Sequence, residues 1–415
     1  MMSNFLGFKC FICGEEYQPD SLLYTCPHCG EEGIVDIIYD YAKWKDTYPR
    51  NQLSLNKDFS IWRYISFLPV SPSTPRPYLQ IGFTPLYSPK RLQEELSLPN
   101  LYIKDDGRNP SASFKDRASV IGVVKGIELG FKQMTCASTG NAASSLSCIC
   151  SAMGIENFIF VPKDAPQAKI AQLLIFGAKV FMIRGSYDQA FDLCIEATDK
   201  FGWYNRNTGF NPFLLEGKKT AAYEICEQLA WNMPDKVIVS VGDGCILGGL
   251  GKGFYDFYKL GYIDRIPQLI GVQAEGASAV KDAFERGGKL VPVVAQTIAD
   301  SICVGRPRAL LPALRALRIS NGFMVSVSDE EILAAMRILP QYGGVFGEPA
   351  GVASLAGLIK LLNKGKIKAE EKVVVLITGN GLKDIKAAIS AVKNKPFIID
   401  PDIASVKTLL KEELE

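Results

Sequence analysis

From Asn100 onward the chain alternates short apolar runs with helix-periodic ones, and this alternation constrains the fold more than any other feature. "NLYIKDDG" opens the series. "QMTCA" precedes "NAASSLSCICSAMG", "NFIFVP" precedes "APQAKIAQLLIFG", and "AKVFMIRG" precedes "YDQAFDLCIEATDKFG". "KVIVSVG", "QLIGVQAE" and "EKVVVLITG" continue it with helical segments between them. Strands that re-enter a sheet through a helix run parallel, so the fold class is α/β with parallel-type sheets. Ligand-binding loops in such sheets stand at the carboxyl ends of the strands. A length of 415 residues exceeds one ordinary core, so two domains and an appendage are expected.

The appendage is the amino-terminal segment. "CFIC" and "CPHC" place Cys10, Cys13, Cys26 and Cys29 in two C-x-x-C knuckles. Four thiolates turned toward one point match tetrahedral zinc and leave no open position, so a structural zinc ribbon is expected. Iron, or an empty ribbon, is the alternative. The single histidine, His28, lies inside the second knuckle. Proton transfer elsewhere therefore falls to Lys, Asp, Glu, Tyr or Cys. Eleven cysteines, several in apolar helical contexts, fit reduced thiols in a cytoplasmic protein. Lys plus Arg is 46 against 44 Asp plus Glu, so no nucleic-acid partner is implied. No apolar run approaches membrane-spanning length, and neither a signal peptide nor a membrane partner is expected. Residues 36 to 80 are aromatic and proline-rich, and read as a wrap over the body.

The stretch "NPSASFKDRAS" reads as a helix start, with Ser113 and Asp116 spaced as a capping box. Lys115 then falls in the first turn, where the helix's partial positive charge disfavours a cation. That placement makes sense if the amine serves chemistry. Three loops follow strands. "VIVSVGDGCILGG" brings Gly242, Asp243, Gly244, Cys245 and Ile246 to a helix start, where backbone N–H groups can approach a phosphate. It is neither a Walker loop nor a G-x-G-x-x-G. "CASTGNAAS" offers Ser138, Thr139 and Asn141, and "VLITGNGLKD" offers Thr378, Asn380 and Lys383. Together they suit pyridoxal phosphate, which needs an amine for its aldehyde, donors for its phosphate, and partners for O3′ and the ring nitrogen.

"NPSASFKDRAS", "ASTGNAAS", "NPFLLEGKKT", "FGEPAGVASLAG" and "ITGNGLKD" occur in an order that resembles the threonine synthases. These are tryptophan-synthase-β-like, fold-type II pyridoxal-phosphate enzymes, and the resemblance covers roughly residues 80 to 390. It implies that Lys115 bonds the cofactor aldehyde and is catalytic, Asn141 bonds O3′, Gly242 to Ile246 bind the phosphate, and Thr378 faces the ring nitrogen. Ser138 and Thr139 are the substrate-binding candidates. The implied organisation is a ribbon at 1–35, a large domain at 36–128 and 218–400, a small domain at 129–217 and a helix at 401–415. A homodimer is the expected assembly. The implied reaction converts O-phosphohomoserine and water to threonine and phosphate. Three positions depart from the family pattern. Ala142 stands where a hydroxyl is common, Gly209 where a serine is common, and Leu214 where an arginine often precedes L-E-G. Lys163, Lys169, Arg206 and Lys218 lie in or near these segments and could replace the lost groups. The alternative is a relative acting on another amino acid by β-replacement, dehydration or thiolytic cleavage.

Overall fold

A computed structural model describes residues 5–21, 24–165, 167–392 and 396–414. The amino-terminal segment folds into strands β1 (Phe5–Cys10), β2 (Glu16–Tyr17) and β3 (Val35–Tyr39), an antiparallel sheet in the order β2-β1-β3. Residues 36 to 80 do not form a bare wrap. They carry the end of β3, helices Tyr41–Thr47 and Asn51–Leu55, and a 3₁₀ segment Ile61–Phe67, with Trp44 fully buried among aromatic rings.

The body holds two further sheets. β4 (Leu86–Tyr87) and β5 (Leu101–Asp105) come first along the chain. β6 (Gln133–Ala137), β7 (Glu156–Pro162), β8 (Lys179–Ile183) and β9 (Tyr204–Asn205) form a parallel sheet in the order β8-β7-β6-β9. β10 (Lys236–Ser240), β11 (Gln268–Ala274), β12 (Phe323–Val327) and β13 (Val373–Ile377) join the earlier pair in the order β12-β11-β10-β13-β5-β4. All pairings in that sheet are parallel except β4 with β5. β10 and β13 are buried at every position, as expected of central strands covered on both faces. The α/β expectation holds, and the alternating runs become strands nearly residue for residue. β12 was absent from that series.

Helices Lys115–Glu128, Phe213–Gln228 and Cys245–Lys259 pack together beside the large sheet. Glycines permit the approach. A Cβ on Gly217 would stand 1.8 Å from the Arg117 carbonyl oxygen, and one on Gly253 would stand 2.3 Å from that of Lys219.

The expected capping box does not form. The Lys115–Glu128 helix has Phe114 at its cap with no side-chain cap bond. Asp116 turns away and accepts from Ser111, from its backbone N–H at 2.7 Å and from its hydroxyl. Arg117, fully buried, donates from Nε to Asp106 at 2.6 Å and from Nη2 to Glu224 at 2.7 Å. Lys104 donates to the same Glu224 at 2.6 Å. Burial pushes the Glu224 carboxyl up, but the charges of Arg117 and Lys104 overcome it and hold it down at about 2.

That depressed value sets the acid behaviour. The ionised Glu224 stabilises the fold above the ordinary glutamate range of ~4.3, and the contribution is lost as pH falls toward about 2. Glu224→Gln leaves two buried cations underbalanced and is expected to cost about 3–5 kcal/mol at neutral pH. Denaturant titrations of both proteins should show the gap narrowing as pH drops below ~4.3. A gap independent of pH would refute the assignment.

Candidate functional site

Lys115 is held from both sides by backbone pairing at the carboxyl ends of the strands. Phe114 N donates to Thr378 O at 2.8 Å, and Asn380 N donates to Ala112 O at 3.0 Å. Glu348 N donates to Gly379 O at 3.0 Å, which adds a third segment to the same seam. β13 ends at Ile377, so Thr378 is the first residue beyond the sheet and stands next to the lysine turn.

The segments enclose a cavity of about 900 Å³ lined by Lys115, Ser138, Thr139, Asn141, Arg206, Thr208 and Asp243, among others. A deeper lobe of about 60 Å³ is lined by Lys115, Asn141, Gly242, Asp243, Gly244, Cys245, Ile246, Glu348 and Thr378. The structure thus brings all of the sequence-expected cofactor and substrate residues around one space. Gly242 to Gly244 lead from β10 into the Cys245–Lys259 helix, whose amino end no side chain caps. Asp243 points elsewhere: its carboxylate accepts Arg308 N at 3.1 Å, and burial raises its pKa.

Of the neighbouring groups, Lys383 was singled out from sequence, whereas Glu348, Ser301 and Arg308 were not. Glu348, buried in the deeper lobe, accepts from Asn141 Nδ2 at 2.7 Å. It lies inside the quoted "FGEPAG" motif, so the signal was present but its partner was 207 residues away. Burial pushes the Glu348 carboxyl up, opposed by Lys383 and the Asn141 amide. Burial lowers Lys383, opposed by Glu348 and Asp116. Its ammonium donates to Ser144 Oγ at 2.8 Å. Ser301 and Arg308, the latter stacked 3.7 Å above the Phe191 ring, also line the larger cavity.

The departures sort themselves by position. Leu214 is buried against the Lys115–Glu128 helix, where a Cβ on Gly122 would meet its Cδ2 at 2.8 Å. Gly209 sits at φ +74° with Arg308 Cβ where its own Cβ would be. Ala142 does line the cavity. Arg206 lines it too, donating from Nη1 to Thr208 Oγ1 at 3.2 Å. Burial pushes the Lys218 ammonium down to about 8; the Cys245 thiol opposes this, while the charges of Arg206 and Lys115 add to it. Lys169 pairs with Asp300 at the edge of a small neighbouring pocket, whereas Lys163 is not among the lining residues of the cavities described.

Outside the cavity, the Sγ atoms of Cys10, Cys13, Cys26 and Cys29 all lie within 4.8 Å of one another. Cys10 and Cys29 are 3.9 Å apart, and Cys13 and Cys26 are 3.7 Å apart. Tetrahedral metal–sulfur bonds of ~2.3 Å would separate the sulfurs by about 3.8 Å. His28 is exposed and is not part of this cluster. No helix among the described residues is long and apolar enough to cross a membrane.

A parallel sheet that presents a lysine, a glycine loop and a hydroxyl to one pocket defines a class, and residues 78–379 match the family described as "Pyridoxal-phosphate dependent enzyme", to which the chain belongs. Within it, the chain is similar to threonine synthases. That of Methanocaldococcus jannaschii is 40% identical over 97% of this chain and 99% of its own. That of Bacillus sp. is 38% identical over 84% of this chain and 97% of its own. The fold matches Escherichia coli diaminopropionate ammonia lyase (TM-score 0.66, 19% identity, 83% of this chain and 92% of that one). It also matches the processed form of threonine deaminase isoform 2 from Solanum lycopersicum (TM-score 0.64, 24% identity, 75% of this chain and 87% of that one).

The site fits the family's cofactor on its own chemistry. An uncapped helix amino end suits the phosphate, and an amine stands at the mouth of the same lobe. The volume is within the range of ligand-binding cavities. Gly244 adopts φ +92°, and a Cβ there would lie 2.8 Å from Ala309 O. Gly244→Ala is therefore expected to cost about 1–3 kcal/mol and to speed loss of pyridoxal phosphate on dialysis. Unchanged unfolding midpoints and cofactor retention would show that the loop tolerates a side chain.

Proposed function

We propose that the protein is a pyridoxal-phosphate-dependent lyase that converts O-phosphohomoserine and water to threonine and phosphate. The observation that carries this reading is the convergence on Lys115 of segments far apart in the chain: Asn141, the Gly242–Ile246 loop and Thr378. The likeness to threonine synthases along nearly the whole chain supports the substrate. Bound pyridoxal phosphate supplies a sink for negative charge developing on the substrate carbons. Lys115 would hold the cofactor aldehyde until the substrate's own amine displaces it. The freed amine would then serve as base and acid for the proton transfers that accompany loss of phosphate from Cγ and addition of water at Cβ. Backbone N–H groups of Gly242, Asp243, Gly244, Cys245 and Ile246 would hold the cofactor phosphate. Asn141 would offer its amide to O3′. Thr378 would offer the ring nitrogen a neutral hydroxyl, which would keep the ring a moderate sink suited to elimination and replacement. Ser138 and Thr139 bind the amino-acid portion of the substrate. Arg206 and Thr208 face the cavity and take over the anion-binding work that the departures at Ala142 and Gly209 leave open.

The cysteine cluster belongs to the reading as a structural zinc ribbon, supported by sulfur spacings that match a tetrahedral ion. We read residues 1–35 as that ribbon, 36–128 with 218–400 as a large domain, 129–217 as a small one and 401–415 as a terminal helix. Cytoplasmic residence is supported by eleven cysteines without a disulfide. A homodimer is supported by the exposed Ile389, Ile398 and Ile403 of the carboxyl-terminal segment.

Two outcomes are expected. Borohydride reduction of the cofactor-loaded protein, followed by peptide mapping, should place the label on Lys115, and Lys115→Ala should abolish phosphate and threonine release from O-phosphohomoserine. Label on another lysine sinks the assignment, and turnover of serine, threonine or O-phosphoserine in its place moves the substrate to the alternative. Metal analysis should find one zinc per chain, lost in the Cys10→Ser, Cys13→Ser double variant along with stability but not the cofactor. Zinc retained in that variant would refute the ligand set.

A further inference from the structure

The cysteine ribbon lies outside the cavity, yet it touches two of the cavity's walls. Tyr24, two residues before Cys26, reaches the turn that runs from Asn205 to Asn211. Its ring stacks on Phe210 with centroids 4.5 Å apart, and its hydroxyl accepts the Asn205 backbone N–H at 2.7 Å. On the second wall, Glu32 pairs with Arg306. That pair is exposed on both sides and contributes little, so the Tyr24 contact dominates.

The turn clasped by Tyr24 is the one that presents Arg206 and Thr208 to the cavity. Its internal bonds transmit position. Asn207 N donates to Asn205 Oδ1 at 2.7 Å, and Asn211 Nδ2 donates to Asn205 O at 2.8 Å. Arg206 itself is tied to the body through Ser119 Oγ at 2.9 Å. A shift at Asn205 therefore moves the neighbouring residues as a unit. Building on the proposed substrate, we propose that the ribbon is a strut for the substrate cavity. Tyr24 is a positioning residue for the phosphate-bearing end of the substrate, acting through Arg206 and Thr208 without touching the substrate.

The test compares the cofactor-loaded protein with its Tyr24→Ala and Tyr24→Phe variants. Hydrogen exchange of amides in residues 204–211 is expected to speed up about tenfold in Tyr24→Ala, with β10 and β13 unchanged. The KM for O-phosphohomoserine should rise about tenfold with kcat within about twofold. Tyr24→Phe, which keeps the ring and loses the acceptor, should fall between. Exchange that is unchanged at 204–211, or faster throughout the chain, overturns the proposal. So does faster local exchange with an unaltered KM. If the unmodified enzyme fails to turn over O-phosphohomoserine, the substrate reading fails separately. Calorimetric affinity for inorganic phosphate then decides: the strut stands if Tyr24→Ala weakens it together with local exchange, and falls otherwise.

Discussion

Arg117 is a permanent cation with no access to water, and the position of Lys115 depends on how that charge is met. A planar guanidinium must be answered by carboxylates set in its own plane. Here Asp106 comes from just beyond β5 and Glu224 from the Phe213–Gln228 helix, with Thr84 Oγ1 at 3.1 Å closing the ring. Lys104 adds a second positive charge against the same Glu224, so two cations face two anions in a dry core. Such a cluster adds little net stability over an apolar core, but removing one member leaves an uncompensated charge. It therefore specifies register. The helix that carries Lys115 cannot slide along its neighbours, because the guanidinium two residues later would lose its partners.

The cavity is lined by charges of both signs. Lys115, Arg206, Arg306 and Arg308 line it against Asp188, Asp192, Asp243 and Asp300, with Lys218 and Lys383 close by and Glu348 in the deeper lobe. Asp243 is partly consumed by the Arg308 backbone, and Glu348 by the Asn141 amide. A cofactor phosphate or a phosphorylated amino acid would find cations such as Lys115 and Arg206 in a partly enclosed space, where charge-assisted bonds are stronger than in water. The Asn141 amide is already engaged by Glu348, so its reach toward a cofactor oxygen is shared with that carboxyl.

What the sequence revealed and what it hid follow a physical line. Parallel strands were legible because buried β10 and β13 require unbroken apolar runs. Lys115, the glycine loop and the cysteine knuckles were legible because each is a local motif whose spacing carries its chemistry. The capping box between Ser113 and Asp116 failed because the pattern is purely local. Ser111, five residues before Asp116, offered both a hydroxyl and an N–H, and captured the carboxylate. Leu214 seemed to remove a cation from the substrate site, yet it belongs to the packing against Gly122. Glu348 and Tyr24 were hidden for the opposite reason, since their partners lie 207 and 181 residues away.

The same logic makes the amino-terminal segment part of the body's electrostatics. β3 lays its polar side chains against the Phe213–Gln228 and Cys245–Lys259 helices. Asp36 accepts from Lys252 at 2.6 Å and also pairs with Arg315, and Tyr39 donates to Glu216 at 2.5 Å. Beneath them Lys219 pairs with Glu216 at 2.7 Å and Asp256 at 2.9 Å, and Lys252 pairs with Glu216 at 2.6 Å. With Asp36 present, three carboxylates face Lys219, Lys252 and Arg315. Without it, two carboxylates would face three cations, and only Arg315 has a route to solvent. The helix that displaces Lys252 toward water would be the Cys245–Lys259 helix, whose amino end forms the floor of the deeper lobe. The amino-terminal segment thus reaches the cavity twice, through Tyr24 of the ribbon at the wall that carries Arg206 and through Asp36, just past the ribbon, at the helix beneath the glycine loop. A four-cysteine appendage outside the cavity acts on it by fixing elements that form its walls.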